Sequence, residues 1–186
     1  MKNFIGKKEF IENILSNLNI IKEEYLQYQG RKYAIRGYPG VNTLTSEPVT
    51  VDGWTGIPLW WDRRAIRGFQ KKFLKTMSLQ GLIEYPAHTS TGWLSLDPES
   101  EVKPHNHKYD KWRGKLLMHI PLILGKGSCG IQVGNNKHEW ELYNPIVFDS
   151  EKDHCTWNNT NKERVNFVMD FSYEEWKSIL KPYVVD

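Results

Sequence analysis

The chain has 186 residues, which fits one domain that buries a core without cross-links. Its 25 Lys and Arg residues and 22 Asp and Glu residues give a net charge of +3 that is spread along the chain, so the charge does not favour a nucleic-acid partner. Two cysteines are too few for a secreted disulfide scaffold, and the apolar runs are too short for a signal segment or a membrane span. We therefore expect a cytoplasmic protein that binds neither nucleic acid nor membranes.

The N-terminal part of the chain predicts two helices separated by an irregular stretch. Apolar residues recur at spacings of three and four over Lys8–Gln27, which indicates an amphipathic helix. The stretch 36–61 is rich in Trp, Tyr and Gly and predicts loops with one or two edge strands, which we expect to form the rim of a site. A second helix is predicted over Arg64–Met77, with basic residues on a solvated face and an apolar stripe of Phe69, Phe73 and Leu74.

The pattern changes to short, strand-length apolar runs after about residue 90. Many short strands separated by turns indicate a sandwich or a barrel. The final segment predicts a short helix, with Ser172 as its N-cap and Glu175 completing a capping box. The chain is therefore predicted to be mainly β with flanking α. The strand-length runs are "GWLSLD", "KLLMHIPLIL", "CGIQVG", "HEWEL", "PIVFD", "HCTWN" and "RVNFVMDF".

Histidines in two of these segments suggest a metal site. If the segment "VKPHNH" is extended, His105 and His107 project to the same side, although such a pair taken alone more often belongs to an exposed polar loop. His154 begins a later predicted strand, and Arg164 begins the next strand ten residues further on. This order of residues is typical of non-haem iron oxygenases, in which histidines and usually a carboxylate hold Fe(II) and leave positions open for a 2-oxo acid and dioxygen. The planar fork of an arginine suits the carboxylate of that acid.

These motifs resemble the aspartyl/asparaginyl β-hydroxylase family of Fe(II)/2-oxoglutarate-dependent dioxygenases. The likeness covers roughly the second half of the chain, and its most specific elements are "PH" at 104–105, "MHI" at 118–120, and "FDxxxxHxxWN" at 148–158 followed by Arg164. The resemblance implies a double-stranded β-helix, the cupin-like jelly roll. It further implies one dioxygenase domain over 1–186, divided into helical support and substrate rim at 1–90, the β-helix core at 91–171 and a C-terminal helix at 172–186.

The resemblance also assigns roles to individual residues. It implies that His105 and His154 hold Fe(II) and that Arg164 pairs with the distal carboxylate of 2-oxoglutarate. His119 takes the position that contacts the carboxylate next to the keto group, and Ser95 is the candidate for a further contact to the co-substrate. No catalytic residue is expected beyond the metal centre. The implied reaction hydroxylates an amino acid, or an Asp, Asn or Pro-type residue in a peptide, with dioxygen as the oxidant.

Two positions depart from the family pattern. His107 stands where the family has a carboxylate or a glycine, so it either completes a three-histidine metal site or turns aside, leaving the position to water or Asp110. Leu117 stands where the family usually has an arginine. Strand alternation puts Lys115 on the same face as Leu117, so Lys115 is the candidate to replace that charge, and Arg113 is a less direct one.

Two other functional classes remain open on the sequence. One is a cupin-like metalloenzyme with a three-histidine iron site that uses no 2-oxo acid. The other is a non-catalytic binding module in which the histidines are incidental. The oxygenase interpretation is overturned if His105 and His154 lie too far apart to share an ion, or if Arg164 is buried against an internal acid such as Asp149 or Asp170. Iron-dependent conversion of 2-oxoglutarate to succinate separates it from the two other classes.

Overall fold

The computed structural model describes residues 5–30, 32–34, 38–41, 48–49 and 53–186. The side chains that it describes belong to residues 5–30, 32 and 53–186. Much of the rim predicted over 36–61 therefore lies outside the described residues.

The predicted N-terminal helix is two consecutive helices that meet at Asn17. The backbone of Asn17 leaves the helical region with φ −114° and ψ 18°, and its side-chain amide donates to the carbonyl oxygen of Asn13 at 2.7 Å. An asparagine side chain that bonds the backbone locally competes with helical hydrogen bonding, which explains the break. The helix predicted over Arg64–Met77 is also not continuous: its first residues, Arg64–Ala65, form a short strand, and two short helices follow. The helices are α1 Lys7–Ser16, α2 Leu18–Gln27, α3 Arg67–Gln70, α4 Leu74–Met77 and α5 Tyr173–Leu180, the last followed by a 3-10 turn at Lys181–Tyr183.

Strands make up most of the remaining described residues. They run in chain order as β1 Tyr33–Ala34, β2 Tyr38–Val41, β3 Pro48–Val49, β4 Trp54–Trp61, β5 Arg64–Ala65, β6 Ser90–Leu96, β7 Ser100–His105, β8 Lys115–Ile123, β9 Gly127–Val133, β10 Asn136–Glu139, β11 Ile146–Asp149, β12 His154–Thr160 and β13 Arg164–Ser172. The predicted mainly β class with flanking helices is confirmed.

The strands form two main antiparallel sheets. The larger sheet has the order β1-β4-β6-β13-β8-β11, with β5 paired to β4, and the smaller sheet has the order β10-β9-β12-β7. A separate ribbon joins β2 and β3. Residues of both main sheets share one apolar core, so the sheets face each other in a double-stranded β-helix. Members of this shared core include Leu96, Leu117 and Phe148 of the larger sheet and Val102, Ile131 and Val133 of the smaller sheet.

A second core fills the space between the larger sheet and the helices. Alternation along β8 divides its side chains: Leu116 and Met118 pack toward the helices, whereas Leu117 faces the smaller sheet. Phe10 of α1 anchors the helical layer, because its ring lies 5.2 Å from that of Tyr85 and 6.1 Å from that of Trp176. The helices therefore cover one face of the larger sheet and leave its other face to the barrel interior.

None of the helices in the described ranges combines the length and the apolar character that crossing a bilayer demands.

Substitution of Phe10 tests the packing of the helical layer. Because Phe10 is fully buried among aromatic rings, we expect Phe10→Ala to lower the free energy of unfolding by about 3–5 kcal/mol. The control is Leu74→Ala, since the Leu74 side chain is 66% exposed and its truncation should change stability by less than about 0.5 kcal/mol. Urea unfolding followed by fluorescence measures both. Equal losses in the two variants would contradict this packing.

Candidate active site

Three histidines meet at one end of the barrel interior. His105 is the last residue of β7 and His154 is the first residue of β12, and the antiparallel register places them directly opposite each other. His107 lies in the following loop, where its backbone N–H donates to the carbonyl oxygen of Ser150 at 2.9 Å. All three side chains are buried, and one potential ligand atom of each lies within 4.8 Å of those of the other two. The expectation that His105 and His154 approach closely enough to share an ion is met by this geometry.

The Nδ1 atom of each imidazole faces an acceptor. His105 Nδ1 lies 2.8 Å from the carbonyl oxygen of Lys103, and His154 Nδ1 lies 2.8 Å from that of Lys152. His107 Nδ1 lies 2.7 Å from Asp110 Oδ2. Because these partners accept hydrogen bonds, each Nδ1 carries the hydrogen and the lone pair is on Nε2. This is the arrangement of metal-binding histidines, whose second nitrogen is tied to a carbonyl or a carboxylate.

The surroundings keep the imidazoles of His105 and His154 neutral. Burial, aided by neighbouring His107, lowers the pKa of His105 to about 4. Burial and the charges of His105 and His107 hold the pKa of His154 well below its usual range. A neutral imidazole is the form that binds a metal. The donor set of three nitrogens therefore fits a divalent first-row transition metal ion.

A buried arginine lies on the same interior surface. Arg164 opens β13 opposite Leu96, is only 1% exposed, and has its guanidinium carbon 5.8 Å from the centre of the Trp140 ring. No ion pair within the described part of the chain includes Arg164, and its Nε atom has no hydrogen-bond partner there. Burial lowers the pKa of Arg164 to about 10, which still leaves it charged at neutral pH. A desolvated cation without a counter-ion is costly unless an anion joins it.

The two internal acids considered for Arg164 are engaged elsewhere. Asp149 Oδ1 accepts the backbone N–H of Glu151 at 2.9 Å. Asp170 accepts the backbone N–H groups of Thr89 at 3.2 Å and Ser90 at 2.9 Å. Neither carboxylate forms an ion pair with Arg164, so the structural reading of this arginine is not supported.

His119 lies between the arginine and the three histidines. Its ring stacks on Trp140 at 5.9 Å and lies 5.4 Å from the ring of Phe148, which in turn lies 4.8 Å from the ring of His154. Burial, and next the charge of Arg164, lowers the pKa of His119 to about 3, so this imidazole is neutral. One aromatic ring therefore separates His119 from the histidine cluster.

Asn166 adds a third polar group to this surface. Its Nδ2 atom lies 3.5 Å from His119 Nδ1, and its buried Oδ1 atom has no hydrogen-bond partner among the described residues. Arg164, His119 and Asn166 thus form a polar patch, which we call the anion patch, on an otherwise apolar wall. The patch offers a buried positive charge and two neutral polar groups to a ligand.

The structure does not bring Ser95 to this surface. Along β6, Leu94 and Leu96 face the barrel interior, so Ser95 points to the helix side, where its Oγ atom lies 2.6 Å from Thr55 Oγ1. This placement counts against the prediction that Ser95 contacts a co-substrate, because alternation turns the neighbouring residues inward. Lys115 lies half-buried at the start of β8, and its charge acts on the carboxylate of Asp170.

Several residues of the site did not emerge from the sequence. Trp140 and Trp112, which contact His119 and His107 through their rings, carry no local signal of such a role. Asn166 was detectable in principle, since it stands two residues after Arg164 on the same strand and therefore shares its face.

Comparison with known proteins identifies relatives over most of the chain. The sequence profile of the family described as "Aspartyl/Asparaginyl beta-hydroxylase" matches residues 15–173. The human protein "Aspartyl/asparaginyl beta-hydroxylase" is 24% identical over 176 residues, which are 91% of this chain and 22% of that protein, so this chain spans about a fifth of its length. "Ornithine lipid ester-linked acyl 2-hydroxylase" of Rhizobium tropici is 28% identical over 88 residues, 46% of this chain and 30% of that protein. A solved cupin-2 domain from Rhodospirillum rubrum aligns at 11% identity with a TM-score of 0.46, covering 78% of this chain and 74% of that one.

Replacement of Arg164 by methionine tests whether the buried charge of this arginine lacks a partner within the protein. Because Arg164→Met removes a buried charge that has no internal partner while keeping a long side chain, we expect the ligand-free protein to gain about 1–3 kcal/mol in free energy of unfolding. The control is Arg67→Met, which changes an exposed side chain and should leave stability within about 0.5 kcal/mol. Chemical denaturation measures both. A loss of about 3–5 kcal/mol in Arg164→Met would instead reveal a structural ion pair.

Proposed function

The chain belongs to the aspartyl/asparaginyl beta-hydroxylase family, and on that premise we propose that it is an Fe(II)- and 2-oxoglutarate-dependent hydroxylase. In this proposal His105, His107 and His154 hold the iron, and Arg164 pairs with the distal carboxylate of 2-oxoglutarate. The observation that carries the proposal is the buried, unpaired charge of Arg164, which lines the same barrel interior as three buried, clustered imidazoles. A dicarboxylic oxo acid could pair one carboxylate with Arg164 and bind the metal at the histidine cluster with its other end.

The anion patch supplies the groups for the co-substrate. The planar fork of Arg164 would accept the distal carboxylate with two parallel hydrogen bonds, which neutralises the guanidinium in a site without bulk water. The side chains of His119 and Asn166 would form hydrogen bonds with the part of the oxo acid between its two ends, since both lie beside Arg164 on the interior wall. Leu117 offers no charge at the metal end, and Lys115 is our candidate to replace the arginine of the family pattern there.

The chemistry divides between the bound groups and the chain. When bound, the iron and the oxo acid reduce dioxygen, so that 2-oxoglutarate becomes succinate and carbon dioxide while one oxygen atom enters a C–H bond of the substrate. The chain itself positions the ligands and excludes water from the site. Backbone carbonyls and Asp110 hold the three imidazoles with their Nε2 lone pairs ready, and Phe148 and Trp140 line the wall between the metal end and Arg164.

We further propose that residues 1–186 act as one catalytic domain on an amino acid or on an Asp, Asn or Pro-type residue of a peptide. The name of the human relative supports a side chain of the Asp or Asn type, whereas that of the Rhizobium relative specifies a lipid acyl chain. A cytoplasmic location without nucleic-acid or membrane partners stays a prediction.

A cupin-like enzyme that uses no oxo acid is the second candidate. The three-histidine set favours it, because the family pattern has no histidine at position 107. The anion patch argues against it, since nothing in such an enzyme requires a buried guanidinium without a partner. Binding of the oxo acid therefore decides between the two.

Metal titration tests the histidine cluster. We expect the metal-free protein to bind one Co(II) or Fe(II) ion per chain, and His154→Ala to lose measurable binding, because two imidazoles cannot hold the ion as three do. Isothermal titration calorimetry measures the affinity. His138→Ala is the control, as His138 lies on the edge strand β10 and should bind the ion as the unaltered protein does. Equal binding by all three proteins would contradict the site.

Turnover of 2-oxoglutarate tests the complete proposal. We expect iron-dependent formation of succinate and loss of this activity by about 100-fold in Arg164→Met at subsaturating oxo acid, since two charge-assisted hydrogen bonds are worth about 3 kcal/mol. Ser95→Ala is the matched control, because Ser95 faces the helices and should turn over normally. Metal binding without any affinity for the oxo acid would favour the second candidate.

A further inference from the structure

We propose that Asp110 is a positioning residue for the metal, which holds His107 in place and gives the centre the negative charge that a coordinating carboxylate would otherwise bring. This inference rests on the proposed metal site. The sequence alone left Asp110 open as a direct ligand, and the structure gives it a different place.

Both carboxylate oxygens of Asp110 have partners within the loop. Oδ2 lies 2.7 Å from His107 Nδ1, and Oδ1 accepts the backbone N–H of Trp112 at 2.8 Å. The His107 side chain is 1% exposed and that of Asp110 11% exposed, so solvent screens this contact only weakly. The carboxylate therefore faces the Nδ1 side of the imidazole and not its metal-facing Nε2 side.

Among the three histidines, His107 is distinguished by this charged acceptor. The Nδ1 atoms of His105 and His154 face neutral backbone carbonyls. A hydrogen bond to a carboxylate is stronger than one to a carbonyl, and it increases the electron density of the imidazole and its strength as a metal ligand. We thus infer that His107 is the strongest donor of the set.

The loop that carries this pair is anchored by contacts within the chain itself. Ser150 accepts the backbone N–H of His107 at 2.9 Å, and its Oγ atom donates to the carbonyl oxygen of Trp112 at 2.6 Å. The buried ring of Trp112 packs 5.3 Å from the ring of His107. Because the loop is fixed at both ends by contacts within the chain, these contacts orient the imidazole.

Charge counting explains why this arrangement matters. A divalent ion held by three neutral imidazoles keeps a charge of +2, whereas the ion together with Asp110 carries +1, the value reached with two histidines and one coordinating carboxylate. The metal-facing donors nevertheless remain three nitrogens. Such a centre has the net charge of a site with two histidines and one carboxylate, but the nitrogen ligands of a three-histidine site. We expect this combination to affect both the metal affinity and the redox potential.

Two substitutions separate the charge of Asp110 from its hydrogen bonding. Asp110→Asn keeps one acceptor oxygen and loses the charge, and Asp110→Ala loses both. Asp153→Asn is the matched control, because it also removes a carboxylate charge near the cluster, whereas Asp153 Oδ1 accepts from Asn106 Nδ2 at 2.6 Å and Asp110 Oδ2 lies against the imidazole of His107. Co(II) affinity, the visible spectrum of bound Co(II), the iron midpoint potential and urea unfolding of the metal-free protein are measured for each.

We expect the Co(II) affinity to fall 10–100-fold in Asp110→Ala and less in Asp110→Asn, with changed Co(II) spectra, while Asp153→Asn stays within about threefold. The Fe(III)/Fe(II) midpoint potential of Asp110→Asn should rise by about 59 mV for each tenfold weakening of Fe(III) relative to Fe(II). A purely structural role would lower the urea midpoint and leave the spectrum and potential of the folded protein unchanged, which would overturn the inference. Absence of Co(II) binding in the unaltered protein would overturn the metal site itself.

Discussion

The antiparallel pairing of β7 with β12 is the constraint on which the site depends, because it sets His105 directly opposite His154. A slip of one residue in either strand would turn one of the two imidazoles to the outside of the barrel. The apolar core shared by the two sheets resists such a slip in β7, since Val102 would then leave the interior together with His105. Packing of ordinary hydrophobic residues therefore holds the proposed metal ligands in place.

Two buried charged residues, Asp170 and Arg164, differ in how far the surrounding protein compensates their charge. Asp170 is buried, yet two backbone N–H groups compensate its carboxylate. Arg164 is buried as deeply and receives no such compensation within the described ranges, apart from the face of Trp140. A fold that satisfies one internal charge and leaves the other open keeps a free energy cost that only a ligand removes. This contrast is the strongest physical argument for an anionic co-substrate.

The two departures from the family pattern concern opposite charges at the metal end. His107 takes the place of an acidic or small residue, and Leu117 takes the place of a basic one. Asp110 places a negative charge against His107, whereas Lys115 is the first residue of β8 and its charge acts on Asp170. Of the two candidate replacements, Asp110 is therefore the better placed for the proposed metal site.

Local pattern in the sequence determined the mainly β class with flanking helices, since the spacing of apolar residues is a property of each segment by itself. The pattern also predicted that His105 and His107 project to the same side of one strand, although β7 ends at His105 and His107 joins the cluster from the following loop. It failed where two elements compete or meet. The break at Asn17 depends on one side chain bonding its own backbone, and the inward residue of β6 proved to be Leu94, one position from Ser95. The stacking of Trp140 on His119 and the placement of Asp110 behind His107 were decided only by the tertiary structure, because both depend on how loops and strands distant in sequence close around one cavity.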